Sequence, residues 1–214
     1  MTLSLPTISL QDASPYEFTP PYFFRATDGQ RIDVLTHFTL EKTEDALIIR
    51  FDCRDNPFLS YNRMTETNDD LYNQEVFEVF IAAGKENPTN YLEIEVNPNN
   101  ALWVGWVQNP SLGLGTEPNT LKMIQKEQIS IQHKVTCQES SWSGELQIPL
   151  ALITDRVDER NFRINFYRIV AKEKPKDTQW VCTDENAHFL CWSPTMSGQV
   201  PAFHRPTHFG YLQL

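Results

Sequence analysis

Apolar and polar residues alternate along most of the chain with the two-residue period of a β-strand, in which successive side chains point to opposite faces. In Ala46–Cys53, Leu47, Ile49, Phe51 and Cys53 share one face and Ile48, Arg50 and Asp52 the other. Tyr91–Asn97 sets Leu92, Ile94 and Val96 against Tyr91, Glu93, Glu95 and Asn97. Ile129–Cys137, Trp142–Ile148 and Phe162–Ile169 alternate in the same way, and each predicts a half-buried strand. Val76–Ala82 is apolar almost throughout and predicts a central strand. Asn97-Pro98-Asn99-Asn100 predicts a hairpin turn between 91–97 and 101–107. Helix is predicted only at Pro149–Asp155, where a proline precedes Leu150, Ala151, Leu152 and Ile153. Residues 108–120 and 171–187 read as long polar loops, a length often tied to function. The sum predicts an all-β chain: an antiparallel β-sandwich, of immunoglobulin-like or jelly-roll type, with roughly ten strands. Residues 1–30, with Pro6, Pro15, Pro20 and Pro21, are expected to form an extended arm packed on a single domain of residues 31–214.

Composition narrows the function classes. The 214 residues carry a net charge of −10, with a pI near 4.9. Nucleic acid and anionic membrane are therefore excluded as expected partners, since both demand a basic face. No apolar run reaches the ~18 residues needed to span a bilayer. The start lacks a basic segment followed by an apolar one, so the chain is expected to be cytoplasmic as written, or exported if a leader has been trimmed. Aromatic residues reach 12%, favouring strands and flat apolar ligands alike. The four cysteines form no CxxC pair. Cys53 and Cys137 read as small core hydrophobes on apolar strand faces. Cys182 and Cys191 are spaced to pair in an oxidising compartment.

Several chemistries are represented. No G-x-S-x-G surrounds a serine, and no nucleophile has a neighbouring histidine. His133 reads as a packed histidine on an apolar face. His204 and His208 are four apart across Pro206, a loop spacing open to a metal but without HExxH. Asn68-Asp69-Asp70 and Asp184-Glu185-Asn186 are oxygen-rich and open to calcium, or are ordinary loop residues. Glu93 and Glu95 share a strand face ~7 Å apart, a spacing suited to glycoside hydrolysis or to a polar face. Tyr91, Glu93, Glu95 and Asn97, with Arg163, Asn165 and Tyr167, would form one surface if their strands share a sheet. Sugars need that mixture, because hydroxyls seek charged and amide partners while C–H faces seek flat rings.

Asp69–Ile81, Tyr91–Pro98, Trp142–Pro149, Phe162–Arg168 and Cys191–Leu212 are five segments that resemble family 9 carbohydrate-binding modules. Asp69-Asp70-Leu71-Tyr72-Asn73-Gln74-Glu75-Val76-Phe77-Glu78-Val79-Phe80-Ile81 is similar to the family's w-x-x-D-x-v-E-v-F-i stretch. Tyr91-Leu92-Glu93-Ile94-Glu95-Val96-Asn97-Pro98 resembles Y-x-E-x-x-v-N-P. Trp142–Pro149 resembles W-x-x-E-x-x-I-P, and Phe162–Arg168 resembles f-x-f-N-f-x-R. Cys191-Trp192-Ser193-Pro194, followed by Phe203-His204-Arg205-Pro206-Thr207-His208-Phe209-Gly210-Tyr211-Leu212, resembles W-S-P … F-H-x-P-x-x-F-G-x-L. The five occur in the family's order across residues 45–214. The resemblance implies a DOMON-like β-sandwich that binds carbohydrate without catalysis, in support of carbohydrate breakdown and beside a glycoside hydrolase. It places Tyr72 and Phe203 at the two aromatic rings that clamp a terminal sugar, where characterised members carry tryptophan. Glu78 falls on the motif glutamate, and Glu93 stands where the characterised binder has arginine. Glu78 has a structural alternative, an internal pair with Arg163 or Arg168. Trp192 is open to core or clamp, and Trp103 and Trp106 to walling the site or covering the sheet.

Two other readings stay open from the sequence. DOMON-like sandwiches include haem-binding electron-transfer domains, for which Met64, Met123, Met196 and the histidines supply axial ligands. Glu78 and Glu93 supply the acids for a glycoside-active enzyme, whose mark is turnover of an aryl glycoside that is lost in Glu78→Gln.

Overall fold

The computed structural model describes residues 4–10, 15–114 and 118–214. Parts of the predicted arm (1–3 and 11–14) and of the predicted loop 108–120 (115–117) lie outside the described residues. The strands are β1 (Thr7–Ser9), β2 (Tyr16–Glu17), β3 (Tyr22–Arg25), β4 (Arg31–Lys42), β5 (Ala46–Cys53), β6 (Val76–Ala83) and β7 (Asn90–Val96). They continue as β8 (Leu102–Gln108), β9 (Thr120–Met123), β10 (Gln132–Cys137), β11 (Trp142–Pro149), β12 (Asn161–Ala171), β13 (Ala187–Cys191) and β14 (Gly210–Gln213). One helical turn, α1 (Leu150–Ile153), follows Pro149.

The strands pair in the order β10-β11-β5-β4-β3-β13-β12-β6-β7-β8-β9, folded into two packed layers. The twelve-residue β4 joins the layers. Its first half pairs with β3 and its second half, from Thr36, with β5. Every ladder is antiparallel except that of β1 along β14. The apolar faces predicted from the alternation meet between the layers. Leu47, Ile49 and Phe51 pack there with Phe77, Val79, Ile81, Leu92, Ile94, Phe162, Ile164 and Phe166. Aromatic pairs fix this contact: Phe38 stacks on Phe166 at 4.1 Å and Phe51 on Phe77 at 4.4 Å. Trp192 belongs here, edge-on to Phe38 and Phe166, which settles it as core.

The polar faces of β6, β7 and β12 differ from expectation. The alternation predicts solvent on that side, yet every residue of Tyr91–Val96 is buried. The reason is a second layer of cover. Phe189, Phe203 and Phe209, brought back by the C-terminal segment, pack on Phe80, Tyr91, Trp103 and Tyr167 to form a second apolar cluster.

The family-like motifs turn out to be the anchors of this cover. Asn165 donates from Nδ2 to Ser193 O (2.9 Å), and its Oδ1 accepts from Ser193 N (2.9 Å), clipping the Trp192-Ser193 segment to β12. Arg163 donates from Nε and Nη2 to Phe209 O (3.1 and 2.6 Å) and from Nη1 to Asn87 Oδ1 (2.8 Å). Asn97 donates to Met64 O (2.9 Å) and accepts from the Asn99 and Ala101 amides, closing the predicted turn at Asn100 and holding loop 62–64 beside it.

Four readings are corrected. The internal partner of the sheet arginine is Glu75, not Glu78: Arg168 Nη2 lies 2.9 Å from Glu75 Oε1, both side chains wholly buried. Cys137 is exposed, because β10 is an edge strand and the apolar side of its end faces solvent. Cys182 and Cys191 are not paired; all four thiols are free, and Cys182 Sγ donates to Tyr72 O (3.0 Å). His133 is half-buried on that same edge strand, with Nε2 3.1 Å from Asn100 O, rather than packed in the core.

Candidate functional site

The covered face of β6, β7 and β8 is not filled. A cavity of about 500 Å³ remains between the sheet and its cover. Its floor follows from strand register. Glu78 on β6 stands opposite Glu95 on β7, and Glu95 opposite Trp103 on β8. In the adjacent row Phe80 stands opposite Glu93, and Glu93 opposite Gly105. A Cβ at Gly105 would lie 2.5 Å from the Trp103 ring, so glycine there lets the indole lie flat across β8 toward Glu93.

The walls come from loops. Tyr72 sits on the single 3₁₀ turn Leu71–Asn73 and is 48% exposed. Gln74 secures this turn by donating to Thr178 O (3.0 Å) and Trp180 O (2.9 Å). The Cys182 amide adds a bond to Asn73 O (2.8 Å). The Tyr72 amide donates to the Glu95 carboxyl, coupling wall to floor. On the other side Phe203 stacks on Tyr167 at 4.4 Å and meets Phe189 edge-on at 5.9 Å. His204 stacks on Phe80, its Nδ1 2.8 Å from Tyr91 Oη.

Tyr72, Glu78, Glu93, Glu95 and Phe203 therefore line one cavity, as residues far apart in sequence. Arg163 and Asn165 do not join them. They lie on the same sheet, but their polar atoms are taken up by the anchoring bonds to Phe209, Asn87 and Ser193. Phe189, Leu121, Pro201 and Ala202 also line the cavity and were not foreseen from the sequence. Only the Phe203-His204 pair carried a signal, through its motif.

The floor is electrostatically unbalanced. Glu78, Glu93 and Glu95 are 2%, 5% and 1% exposed. One oxygen of each (Glu78 Oε1, Glu93 Oε2, Glu95 Oε2) has no hydrogen-bond partner. Burial pushes the Glu93 carboxyl up to about 8. Glu78 and Glu95 are also held well above the usual carboxylate range, first by burial and then by the neighbouring carboxylates. No arginine or lysine is among the residues that line the cavity. Burial lowers His204 to about 4, so it is neutral at pH 7.

Other candidate chemistries fit less well. Of the methionines and histidines weighed as axial ligands, only His204 faces the cavity, and its Nδ1 is already engaged by Tyr91. Glu78 and Glu93 share one floor, on the same side of any ligand, whereas glycoside hydrolysis uses carboxyls that flank the scissile bond. Asp69 Oδ2 accepts from the Thr65 and Glu66 amides, and Asn186 Oδ1 from the Thr183 amide, so the calcium candidates spend these oxygens on their own turns. Among the described residues, no group of three or more His, Cys, Asp or Glu is arranged to hold a metal ion.

Comparison with known proteins adds to this geometry. The family model for carbohydrate-binding family 9 matches residues 33–214. An extracellular protein of Arthroderma benhamiae is 30% identical over 133 residues, a stretch covering 60% of this chain and 60% of that protein. A proposed carbohydrate-binding protein of Bacteroides uniformis has a similar fold, with a TM-score of 0.68 at 16% identity, covering 98% of this chain and 99% of that one. A family 9 module of Caldicellulosiruptor kristjanssonii, solved with glucose, gives a TM-score of 0.54 at 15% identity over 98% of this chain and 95% of its own. The same organism's module in complex with cellotriose gives 0.53 at 15% identity, over 97% and 92%.

Proposed function

Since the chain belongs to carbohydrate-binding family 9, we propose that it is a non-catalytic carbohydrate-binding domain whose cavity takes the terminal residue of an oligo- or polysaccharide. The observation that carries this reading is the half-exposed Tyr72 ring standing at the cavity that Phe203 walls and the three glutamates floor. An aromatic side chain left 48% exposed has apolar area free to cover, and a sugar's C–H face covers it well. The glutamate oxygens supply acceptors for its hydroxyls. The related modules solved with glucose and with cellotriose support a glucose-type ligand. In carbohydrate breakdown such a domain would hold polysaccharide near a partner glycoside hydrolase.

The two rings are expected to respond differently to truncation. Tyr72→Ala removes a ring with few packing duties, so affinity for cellotriose should fall roughly ten-fold while the melting temperature stays within about 2 °C. Phe203→Ala should weaken binding and also destabilise the fold by about 3 kcal/mol, because that ring is packed on Tyr167 and Phe189. Calorimetric titration with cello-oligosaccharides, alongside thermal melts, checks both. Unchanged affinity in both variants would overturn the clamp.

A further inference from the structure

Three buried carboxyl groups share one cavity; Glu93 and Glu95 are hydrogen-bonded to each other, and each of the three keeps one oxygen with no partner among the described residues. Glu78 and Glu95 are directly opposed across β6 and β7, which sets their Cβ atoms ~5 Å apart. Glu93 lies two residues from Glu95 on the same face, ~7 Å along the strand. The three side chains thus stand within reach of a single small group. The groups that face them are Tyr72, Tyr91, Tyr167, Cys182 and Cys191, whose ionised forms are anionic, and neutral His204. None brings a positive charge.

A sugar hydroxyl is a poor complement to such a floor. It offers one hydrogen to donate and no charge to offset the ionisation of acids whose protonated form burial favours. An ammonium group offers three hydrogens, no lone pair and a full positive charge. The rings around the floor, Phe80, Trp103, Phe203 and Tyr72, present faces that attract a cation. We propose that the cavity prefers an amino sugar carrying a free protonated amine, the chemistry of a glucosamine unit in a deacetylated chitin-type glycan. This rests on the carbohydrate-binding reading and specifies its ligand. The three ammonium hydrogens meet Glu78 Oε1, Glu93 Oε2 and Glu95 Oε2, the pyranose ring lies against the aromatic wall, and the ammonium charge offsets the ionisation of the acids that burial disfavours. N-acetylation removes the charge, leaves a single N–H and turns a carbonyl toward the acids, so it should be disfavoured.

Calorimetric titration at pH 7 and low salt tests this with D-glucosamine, D-glucose and N-acetyl-D-glucosamine, and with the matching trisaccharides chitosan trimer, cellotriose and chitotriose. The amino sugars are expected to bind about ten-fold more tightly than the neutral ones, since each charge-assisted contact is roughly twice as strong as a neutral one. Raising the salt and Glu93→Gln should each shrink that ratio. Equal or weaker binding of the amino sugars would overturn the preference while leaving a carbohydrate-binding domain. Tighter binding of choline than of glucosamine would overturn it in favour of a site for cations without sugar. Failure of every sugar to bind would overturn both this inference and the reading beneath it.

Discussion

Arg168→Met is expected to cost about 3–5 kcal/mol of folding stability, a large share of the ~5–15 kcal/mol that holds a typical domain together. The arginine is wholly buried and makes its bonds to four residues in three separate segments. It donates to Glu75 Oε1 from Nε (3.1 Å) and Nη2 (2.9 Å), to Leu35 O (2.9 Å) and Thr36 Oγ1 (3.2 Å) from Nη1, and to Arg54 O (2.9 Å) from Nη2. Trp142 Nε1 (2.8 Å) and Asn56 Nδ2 (2.5 Å) donate to the same Glu75 carboxylate. Burial works against the charge on Arg168, and the Glu75 carboxylate more than offsets it. Methionine fills the volume but leaves the Glu75 carboxylate without its cation and removes the guanidinium donor from the Arg54 carbonyl, while Leu35 O keeps only its bond from the Arg54 amide. Urea denaturation should show a lower midpoint with an unchanged slope. Adding Glu75→Gln should recover part of the loss, because the second change removes the stranded charge. A single variant within about 1 kcal/mol of the parent would show that this network is not needed for the fold.

The acidic floor gives the second large effect, and it runs with pH. Burial raises the Glu93 carboxyl to about 8, from an ordinary 4.5. Between those values the folded chain binds more protons than the unfolded one, so stability falls as pH rises and the loss is complete above about 8. Below pH 6.5 His204 acts in the opposite sense. Burial holds it to about 4, so the unfolded chain takes up its proton first and stability rises with pH there. The window from pH 6.5 to 8 therefore reports the acidic floor, where Glu78 and Glu95 act in the same direction as Glu93, and at least about 2 kcal/mol should be lost across it. Glu93→Gln removes the cost of ionising that position, and should raise stability at pH 8 by roughly 2–4 kcal/mol, with solvent in the cavity trimming the full effect. Denaturation midpoints of parent and variant at pH 6.5, 7.25 and 8 check this. A parent flat over that range would refute it. On the amino-sugar proposal, the same substitution is also expected to weaken amino-sugar binding.

The sequence by itself determined the strands whose pattern is local. β5 begins and ends at Ala46 and Cys53, where the alternation placed it, and β6, β7 and β11 fall within a residue or so of expectation. Period-2 patterning and the Asn97–Asn100 turn depend on neighbouring residues alone, which is why they could be read. The sequence also determined that Glu93 and Glu95 share a face, and the motifs singled out Tyr72 and Phe203, which line one cavity. It did not reveal the twelve-residue β4, nor β1, β2, β3, β9, β13 and β14, which are five residues or shorter; β1, β13 and β14 gain their hydrogen bonds from strands far away in the chain.

Only the tertiary structure decided what the polar face of the sheet is for. The alternation marks Tyr91, Glu93, Glu95, Arg163 and Asn165 as one face, and the pattern alone implies contact with water. The return of residues 189–209 over that face buried it, turning Arg163 and Asn165 into backbone anchors and leaving the glutamates around a cavity. Likewise Arg168 chose Glu75 over Glu78 because Glu75 and Arg168 both point between the two layers, whereas Glu78 points to the covered outer face. Which layer a side chain meets is set by contacts a hundred residues apart. No local period encodes those contacts, and they separate the charge that holds the fold from the charge left for a ligand.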